Sequence, residues 1–376
     1  MAPHPGSGEP LALALDATAL LGPRTGIGTF VHNLLSHLDP AAVTTTAFSV
    51  TWRGRNQLAA AVPSGIQVVA RPVPARAARA VWERFGTPPI EWLVPHADVV
   101  HGPNFVVPPS RRAASVVSVH DLTAVHWPEL CIGPVRRYPE MIRRSIERGS
   151  WVHAISDYVA DEIRDHFDID PDRVVRVHLA ATTPTATGGR PPPTDRPYIV
   201  ATGMIEPRKN LPVLVDAFGH LADEIADIDL VIAGPDGWRV TDLEAAIGRN
   251  AHRDRIFRLP WIDEASRQRL VREAAILAYP SRYEGFGLPP LEAMAVDTPV
   301  VAARAGAIPE VAGDAAVLVD PGNAEALATA LRLVLEDDSL RERLIAAGRR
   351  RTQSFTWQEC ADGLTALYRR VSADRR

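Results

Sequence analysis

Short apolar runs alternate with amphipathic stretches of helical period along almost the whole chain, and this alternation predicts an α/β protein built on parallel sheets. In the first half the apolar runs predict strands at residues 11–15, 44–50, 67–72, 99–101, 115–119, 152–155 and 173–177. The amphipathic stretches predict helices at 28–38, 135–148 and 157–166. A segment rich in Pro, Gly and Thr then breaks the pattern over residues 181–197. It contains Pro191-Pro192-Pro193 and reads as an interdomain linker. The alternation restarts after it. Strands fit 198–202, 230–233, 256–259, 276–279, 300–303 and 317–319, and helices fit 211–223, 242–249, 264–273, 289–295, 324–336 and 340–352. A last helix from about Trp357 to Val371 places Leu364, Leu367, Tyr368 and Val371 on one side. The simplest architecture is two doubly wound domains of similar size with a cleft between them, their ligands outside the carboxyl ends of the strands.

At 376 residues the chain is too long for one ordinary core, which supports the two-domain reading. The net charge of −4 removes any bulk electrostatic case for nucleic acid. Residues 1–180 are balanced at 17 arginines and 17 acidic residues, so the second half carries the whole excess. Cys131 and Cys360 make no disulfide framework, which fits a reducing, cytoplasmic setting. No apolar run is as long as a membrane span. Residues 1–10 lack a basic start and an apolar stretch, so they read as a frayed tail and not as a signal peptide.

Forty of the 41 basic side chains are arginine, and the one lysine is Lys209. A general bias toward arginine explains the forty. It does not explain why the lysine falls beside Arg208, after the glycine of Thr202-Gly203-Met204 and before a helix start. A compact ammonium in that setting suits a phosphate, because arginine and lysine are not interchangeable where an anion must meet a point charge.

The densest motif is Tyr279-Pro280-Ser281-Arg282-Tyr283-Glu284-Gly285-Phe286-Gly287-Leu288-Pro289-Pro290-Leu291-Glu292-Ala293-Met294-Ala295, at the end of a predicted strand. Gly285 and Gly287 allow a tight turn with outward amides, and Pro289 and Pro290 suit the first turn of the helix that follows. Turn and helix start together predict an anion and hydroxyl site. Glu284 and Glu292 flank it as acceptors for sugar hydroxyls. Either glutamate alone would more often be a solvated surface charge.

Glu284 and Glu292 enclose seven residues, which resembles the E-x7-E signature of retaining GT-B glycosyltransferases, and the wording of the motif is similar to glycosyltransferase family 4. The resemblance runs over nearly the whole chain. It takes in Thr25-Gly26-Ile27-Gly28, Val119-His120-Asp121-Leu122, Glu206-Pro207-Arg208-Lys209-Asn210, Ile308-Pro309-Glu310-Val311-Ala312-Gly313-Asp314 and Phe355-Thr356-Trp357. It implies a GT-B fold of two Rossmann-like domains facing a cleft, an acceptor-side domain at 11–180 and a nucleotide-sugar donor domain at 198–354. Residues 355–376 would form a helix returning to the first domain. A linker at 181–197 implies closure of the cleft on its ligands.

By the same resemblance Arg208 and Lys209 bind the donor diphosphate and offset charge on the leaving group, with Gly203 beside them. Glu292 holds the ribose. Glu284, with Gly285, Phe286, Gly287 and Leu288, holds the donor sugar, and Glu284 eases charge on an oxocarbenium-like ring. Gly26 and Gly28 approach the donor phosphates from a turn ahead of a helix near Thr29. His120 sits beside the reacting centre, with Asp121 next to it; by itself a lone histidine at a strand end is more often a packed residue. The catalytic group is therefore His120, Glu284, Arg208 and Lys209. Phe30 stands where related chains often carry tyrosine, and Met204 where some carry arginine. His101 has a lesser claim as a strand-end residue, His153 reads as core, and Glu310 reads as a helix cap ahead of a sugar ligand. No metal motif appears and no cofactor is implied.

The implied activity is retaining, metal-independent transfer of a hexose, mannose or similar, from a nucleoside diphosphate to an acceptor hydroxyl in surface glycan or glycolipid synthesis. Two other classes compete: a sugar-nucleotide epimerase or hydrolase on the same fold, and a non-catalytic sugar-nucleotide binding protein. The arginines Arg136, Arg137, Arg143, Arg144 and Arg148 form one helix face. Both a solvated face and peripheral contact with anionic lipid at the inner face of the cell membrane are open for it.

Overall fold

The computed structural model describes residues 10–22, 25–51, 55–71, 81–82, 86–182 and 188–375. Residues 1–9 of the predicted tail, Pro72 of the third predicted strand and residues 183–187 of the predicted linker lie outside the described residues. The chain divides into two compact units, one of Met1–Leu179 with Trp357–Arg376 and the other of Ala180–Thr356.

The first unit holds a sheet of seven parallel strands: β1 (Leu11–Asp16), β2 (Val43–Val50), β3 (Gln67–Arg71), β4 (Val99–Gly102), β5 (Ala114–Val119), β6 (Trp151–Ala154) and β7 (Val174–Arg176), in the order β3-β2-β1-β4-β5-β6-β7. Strands β4, β5 and β6 are buried at every residue, as strands covered on both faces must be, which is why they read as continuous apolar runs. The helix Trp357–Asp374 belongs to this unit, where it packs on β4, β5 and the helix Gly26–His37.

Tyr368 of that helix enters a chain of buried hydrogen bonds whose direction the geometry fixes. His153 Nε2 lies 2.9 Å from the Val177 carbonyl, which can only accept, so Nε2 carries the ring proton and Nδ1 is a lone pair. Ser118 therefore donates to His153 Nδ1 at 2.8 Å and accepts from His101 Nε2 at 2.7 Å. That leaves His101 Nδ1 to accept from the Tyr368 hydroxyl at 2.7 Å. Both histidines are thus held neutral in the core. Burial pulls His101 well below the ordinary histidine value and pulls His153 down to about 4.

The second unit holds six parallel strands: β8 (Tyr198–Thr202), β9 (Asp229–Ala233), β10 (Ile256–Leu259), β11 (Ile276–Tyr279), β12 (Val300–Ala303) and β13 (Ala316–Val319), in the order β10-β9-β8-β11-β12-β13. Counted within the unit this is 3-2-1-4-5-6, so the strand order reverses between β8 and β11 and opens a crevice at their carboxyl ends. The helix Leu211–Glu224 covers one face through Leu214, Val215, Phe218 and Leu221. Each unit is thus a Rossmann-like α/β layer structure, as the alternation predicts.

Three of the differences from the sequence reading have a plain local cause. The helix predicted from Gly28 starts at Gly26, because Thr25 caps it and accepts from the Gly28 amide at 3.3 Å. The helix predicted over 135–148 is a 3-10 turn, Gly133–Arg137, followed by the helix Tyr138–Glu147, since Pro139 suits only a first helical turn. The five-residue helix Ile308–Ala312 is too short to carry a periodic signal. No helix among the described residues is long and apolar enough to cross a membrane.

Candidate active site

The residues that follow β8 and β11 meet at the crevice of the second unit. After β8 the chain turns at Gly203 (φ 130°) and enters a 3-10 turn, Pro207–Lys209. Asn210, in the left-handed region (φ 55°), ends that turn and starts the helix Leu211–Glu224. Asn210 is buried, donates to the Pro280 carbonyl at 3.2 Å and accepts from Arg282 Nε at 3.1 Å. The Arg282 amide donates to the Arg208 carbonyl at 2.8 Å. These bonds fasten the loop after β8 to the loop after β11.

Across that seam Glu284 takes both cations. Its Oε1 accepts from Lys209 Nζ at 2.7 Å, and its Oε2 lies 2.7 Å from Arg208 Nη1. Arg208 also donates to the Tyr283 carbonyl at 2.9 Å and to Glu206 at 2.6 Å. Lys209 also donates to the Tyr279 hydroxyl at 2.8 Å. The four charged side chains are formally balanced, two positive and two negative. Burial works to raise the Glu284 carboxyl, but Arg208 and Lys209 outweigh it and hold it at about 2. Burial lowers the Lys209 ammonium, against the pull of Glu284. An incoming anion would therefore meet two cations already oriented by one carboxylate and would share them with it.

The loop Gly285-Phe286-Gly287 is held from below. Phe286 is buried edge-on against Phe355, ring centres 5.7 Å apart. The Glu284 carbonyl accepts from the Ala307 amide at 2.8 Å. Gly306, at φ 56°, is what lets that strand of chain approach: a Cβ there would lie 2.2 Å from the Glu284 carbonyl oxygen. Gly306→Ala is expected to push Glu284 off its two cations and to cost about 1–3 kcal/mol in backbone strain alone. Chemical denaturation with a turnover assay checks both effects.

One part of the expected anion site is weaker than its sequence suggests. The helix Leu288–Met294 has only seven residues, and Pro289 and Pro290 bring no N–H to its first turn. The positive charge at the crevice comes instead from Arg208 and Lys209.

Glu292, on that helix, stands apart from the cation pair. Burial raises its carboxyl, although Arg267 Nη1 donates to it at 2.7 Å. Arg267, on the helix Glu264–Arg272, is also paired with Glu264 at 2.7 Å. The sequence offers no local sign of the Arg267–Glu292 pair or of the Arg208–Glu206 pair.

Gly26, Gly28 and His120 belong to the first unit. Gly26 and Gly28 lie inside the first helical turn, which corrects the turn expected ahead of the helix, and the Gly28 amide already donates to Thr25. His120 follows β5 and is buried between Phe30 and Phe105, ring centres 5.8 and 5.5 Å away. Its Nε2 donates to the Pro103 carbonyl at 2.6 Å, which leaves Nδ1 as an acceptor. Burial keeps the ring neutral by lowering its pKa, more than the Pro103 bond and Asp121 raise it. Asp121 caps its own turn by accepting from the Thr123 amide at 2.9 Å. His101 and His153 are core residues of the hydrogen-bonded chain above. Glu310 lies in the first turn of Ile308–Ala312, whose capping position is Ala307, so it is not the cap. In the arginine face, Arg136 donates to the Cys131 carbonyl and Arg144 pairs with Glu140, each at 2.7 Å.

Comparison with known proteins bears on the fold and the family. The family described as "Glycosyltransferase Family 4" matches residues 24–183, and that described as "Glycosyl transferases group 1" matches residues 186–351. The chain is 31% identical over 284 residues to the O-antigen chain mannosyltransferase B of Escherichia coli, a match covering 72% of this chain and 74% of that one. Its fold is similar to that of the sucrose-phosphate synthase of Thermosynechococcus elongatus, at 19% identity and a TM-score of 0.73 over 97% of this chain and 100% of that one. It is similar also to the Anabaena protein HepE, solved with UDP and glucose, at 17% identity and a TM-score of 0.72 over 95% of this chain and 98% of the other. Two parallel Rossmann-like units, two matching family descriptions and a relative of this extent make the chain a member of the GT-B glycosyltransferases of the family 4 type.

Proposed function

We propose that this glycosyltransferase moves a hexose, with mannose as the leading choice, from a nucleoside diphosphate to an acceptor hydroxyl with retention at the anomeric carbon. The observation that carries the reading is the seating of Arg208 and Lys209 on Glu284 at the strand-order reversal of the second unit. Mannose is favoured by the E. coli relative, whose name gives that sugar. A nucleoside-diphosphate donor is favoured by HepE, which was solved with UDP.

In this reading the bond from the anomeric carbon to the diphosphate oxygen breaks while the acceptor oxygen bonds to the same face. The acceptor proton passes to the departing phosphate, so no separate base is required. Arg208 and Lys209 offset the charge that grows on the diphosphate, the work a divalent cation would otherwise do. Glu284 eases positive charge on the ring, and its low pKa keeps it ionised throughout the working range. His120, neutral and with Nδ1 free to accept, takes a substrate hydroxyl. The ribose falls to Glu292.

These roles separate kinetically. Glu292→Gln should mainly raise KM, as lost uniform binding does, whereas Glu284→Gln should mainly lower kcat. Side-by-side kinetics decide it, and a Glu284→Gln variant altered only in KM refutes the oxocarbenium role. The donor is found by heating the protein with a panel of nucleotide sugars. The true donor at about 100 times its Kd should stabilise by about 2.7 kcal/mol, and no response to any of them would sink the reading.

A further inference from the structure

Lys209 carries three N–H donors. Glu284 Oε1 takes one at 2.7 Å and the Tyr279 hydroxyl takes another at 2.8 Å. The Tyr279 ring centre lies 4.8 Å from Nζ, the distance this hydroxyl bond sets. On another side stands Gly203, where a Cβ would lie 3.6 Å from Lys209 Cε and 3.9 Å from Nζ. Tyr279 is the last residue of β11 and is buried, so its ring is as fixed as the strand. Burial first, and Glu284 second, push its hydroxyl well above the ordinary tyrosine value, so it meets Lys209 as a neutral phenol. A lysine stem is otherwise long and mobile.

We propose that Tyr279 is a positioning residue, which holds the Lys209 ammonium by its hydroxyl so that the third N–H of the ammonium meets the donor diphosphate. The proposal rests on the phosphate reading of Lys209 given above. Glu284 alone would fix one direction of the ammonium; two acceptors fix its orientation. The charged groups around Lys209 are Glu284, Arg208 and Glu206; Tyr279→Phe leaves all three charges in place, while also taking the hydroxyl's hydrogen bond away from Glu284. It removes one acceptor from a buried cation. The ammonium should then lose its proton more readily, so its titration should move further down from the ordinary lysine value.

The composition makes this measurable, because the chain has one lysine. Full-length protein grown with lysine labelled at Cε gives a single lysine signal, that of Lys209. Its titration is followed from neutral to alkaline pH in the parent, Tyr279→Phe and Tyr279→Leu, and binding of UDP, GDP and inorganic pyrophosphate is measured by calorimetry. The phenylalanine variant keeps the ring contacts, and melting temperature checks its fold. The expected result is a lower titration midpoint in Tyr279→Phe and in Tyr279→Leu alike, and diphosphate binding weakened about tenfold or more. An unchanged midpoint and affinity in Tyr279→Phe overturns the proposal. Lys209→Met separates the two readings. If it binds the probes as the parent does, the phosphate role itself is wrong; if it loses binding while Tyr279→Phe keeps it, only the positioning role is wrong. A parent signal that ignores all three probes overturns both.

Discussion

Lys209→Ala is expected to lower turnover by about 10²–10³, the usual loss when one donor that stabilises developing charge is removed. The fold should suffer much less. Glu284 would keep Arg208 at 2.7 Å, so no buried carboxylate is left without a cation. The sharper change is Lys209→Arg, which keeps the charge and matches the chain's habit at its other forty basic positions. A guanidinium is planar and wider than an ammonium. It would have to fit between Gly203, Glu284 and the hydroxyl of Tyr279. Turnover should therefore fall here too. Nucleotide release from the donor, measured beside thermal unfolding, checks both variants. If Lys209→Arg works within a few-fold of the parent, arginine bias alone accounts for the composition. If Lys209→Ala does so, Lys209 has no part in the chemistry.

The alternation of apolar runs made the fold legible because the central strands of a covered parallel sheet have no polar face to interrupt them. Strands β8, β10, β11 and β12 and the helices Asp157–His166 and Ala324–Glu336 fall within the limits their apolar periodicity predicts. Helix starts were less legible. Thr25 sits on the capping position, yet the two glycines after it read more naturally as a turn than as helix. Of the site, the sequence shows the residues that carry charge but not their pairings. Glu284 and Lys209 are 75 residues apart, and Arg267 and Glu292 are 25 apart on different helices. Such pairs leave no periodic trace. The weakness of the helix start at Leu288 was open to reading all along, since Pro289 and Pro290 plainly bring no N–H.

The buried chain from Tyr368 to Val177 predicts that the first unit loses stability as the solution is acidified through the ordinary histidine range. A histidine held below its unfolded value of 6.5 binds a proton more readily in the unfolded chain, so acid favours unfolding. Its stabilising contribution is complete above 6.5 and is lost as the pH falls toward 4, the value to which burial brings His153. At about 1.4 kcal/mol for each unit, His153 alone accounts for about 3 kcal/mol. His101 moves in the same direction and adds to it. Neither ring can be charged in place without breaking the chain, because each Nδ1 must accept, His101 from Tyr368 and His153 from Ser118. Glu91 and Glu284, held at about 2, act in a lower window, below 4.5, and do not blur the effect. The test is the unfolding free energy between pH 6.5 and 4 for the parent and for His153→Gln, which can accept a hydrogen bond but cannot titrate. The variant should start less stable and show a shallower loss. A variant as steep as the parent would mean that the acid sensitivity arises elsewhere. Tyr368→Phe completes the argument. It leaves His101 Nδ1 buried without a donor, at a cost of about 1–3 kcal/mol, and removes the bond by which the buried network reaches the helix Trp357–Asp374.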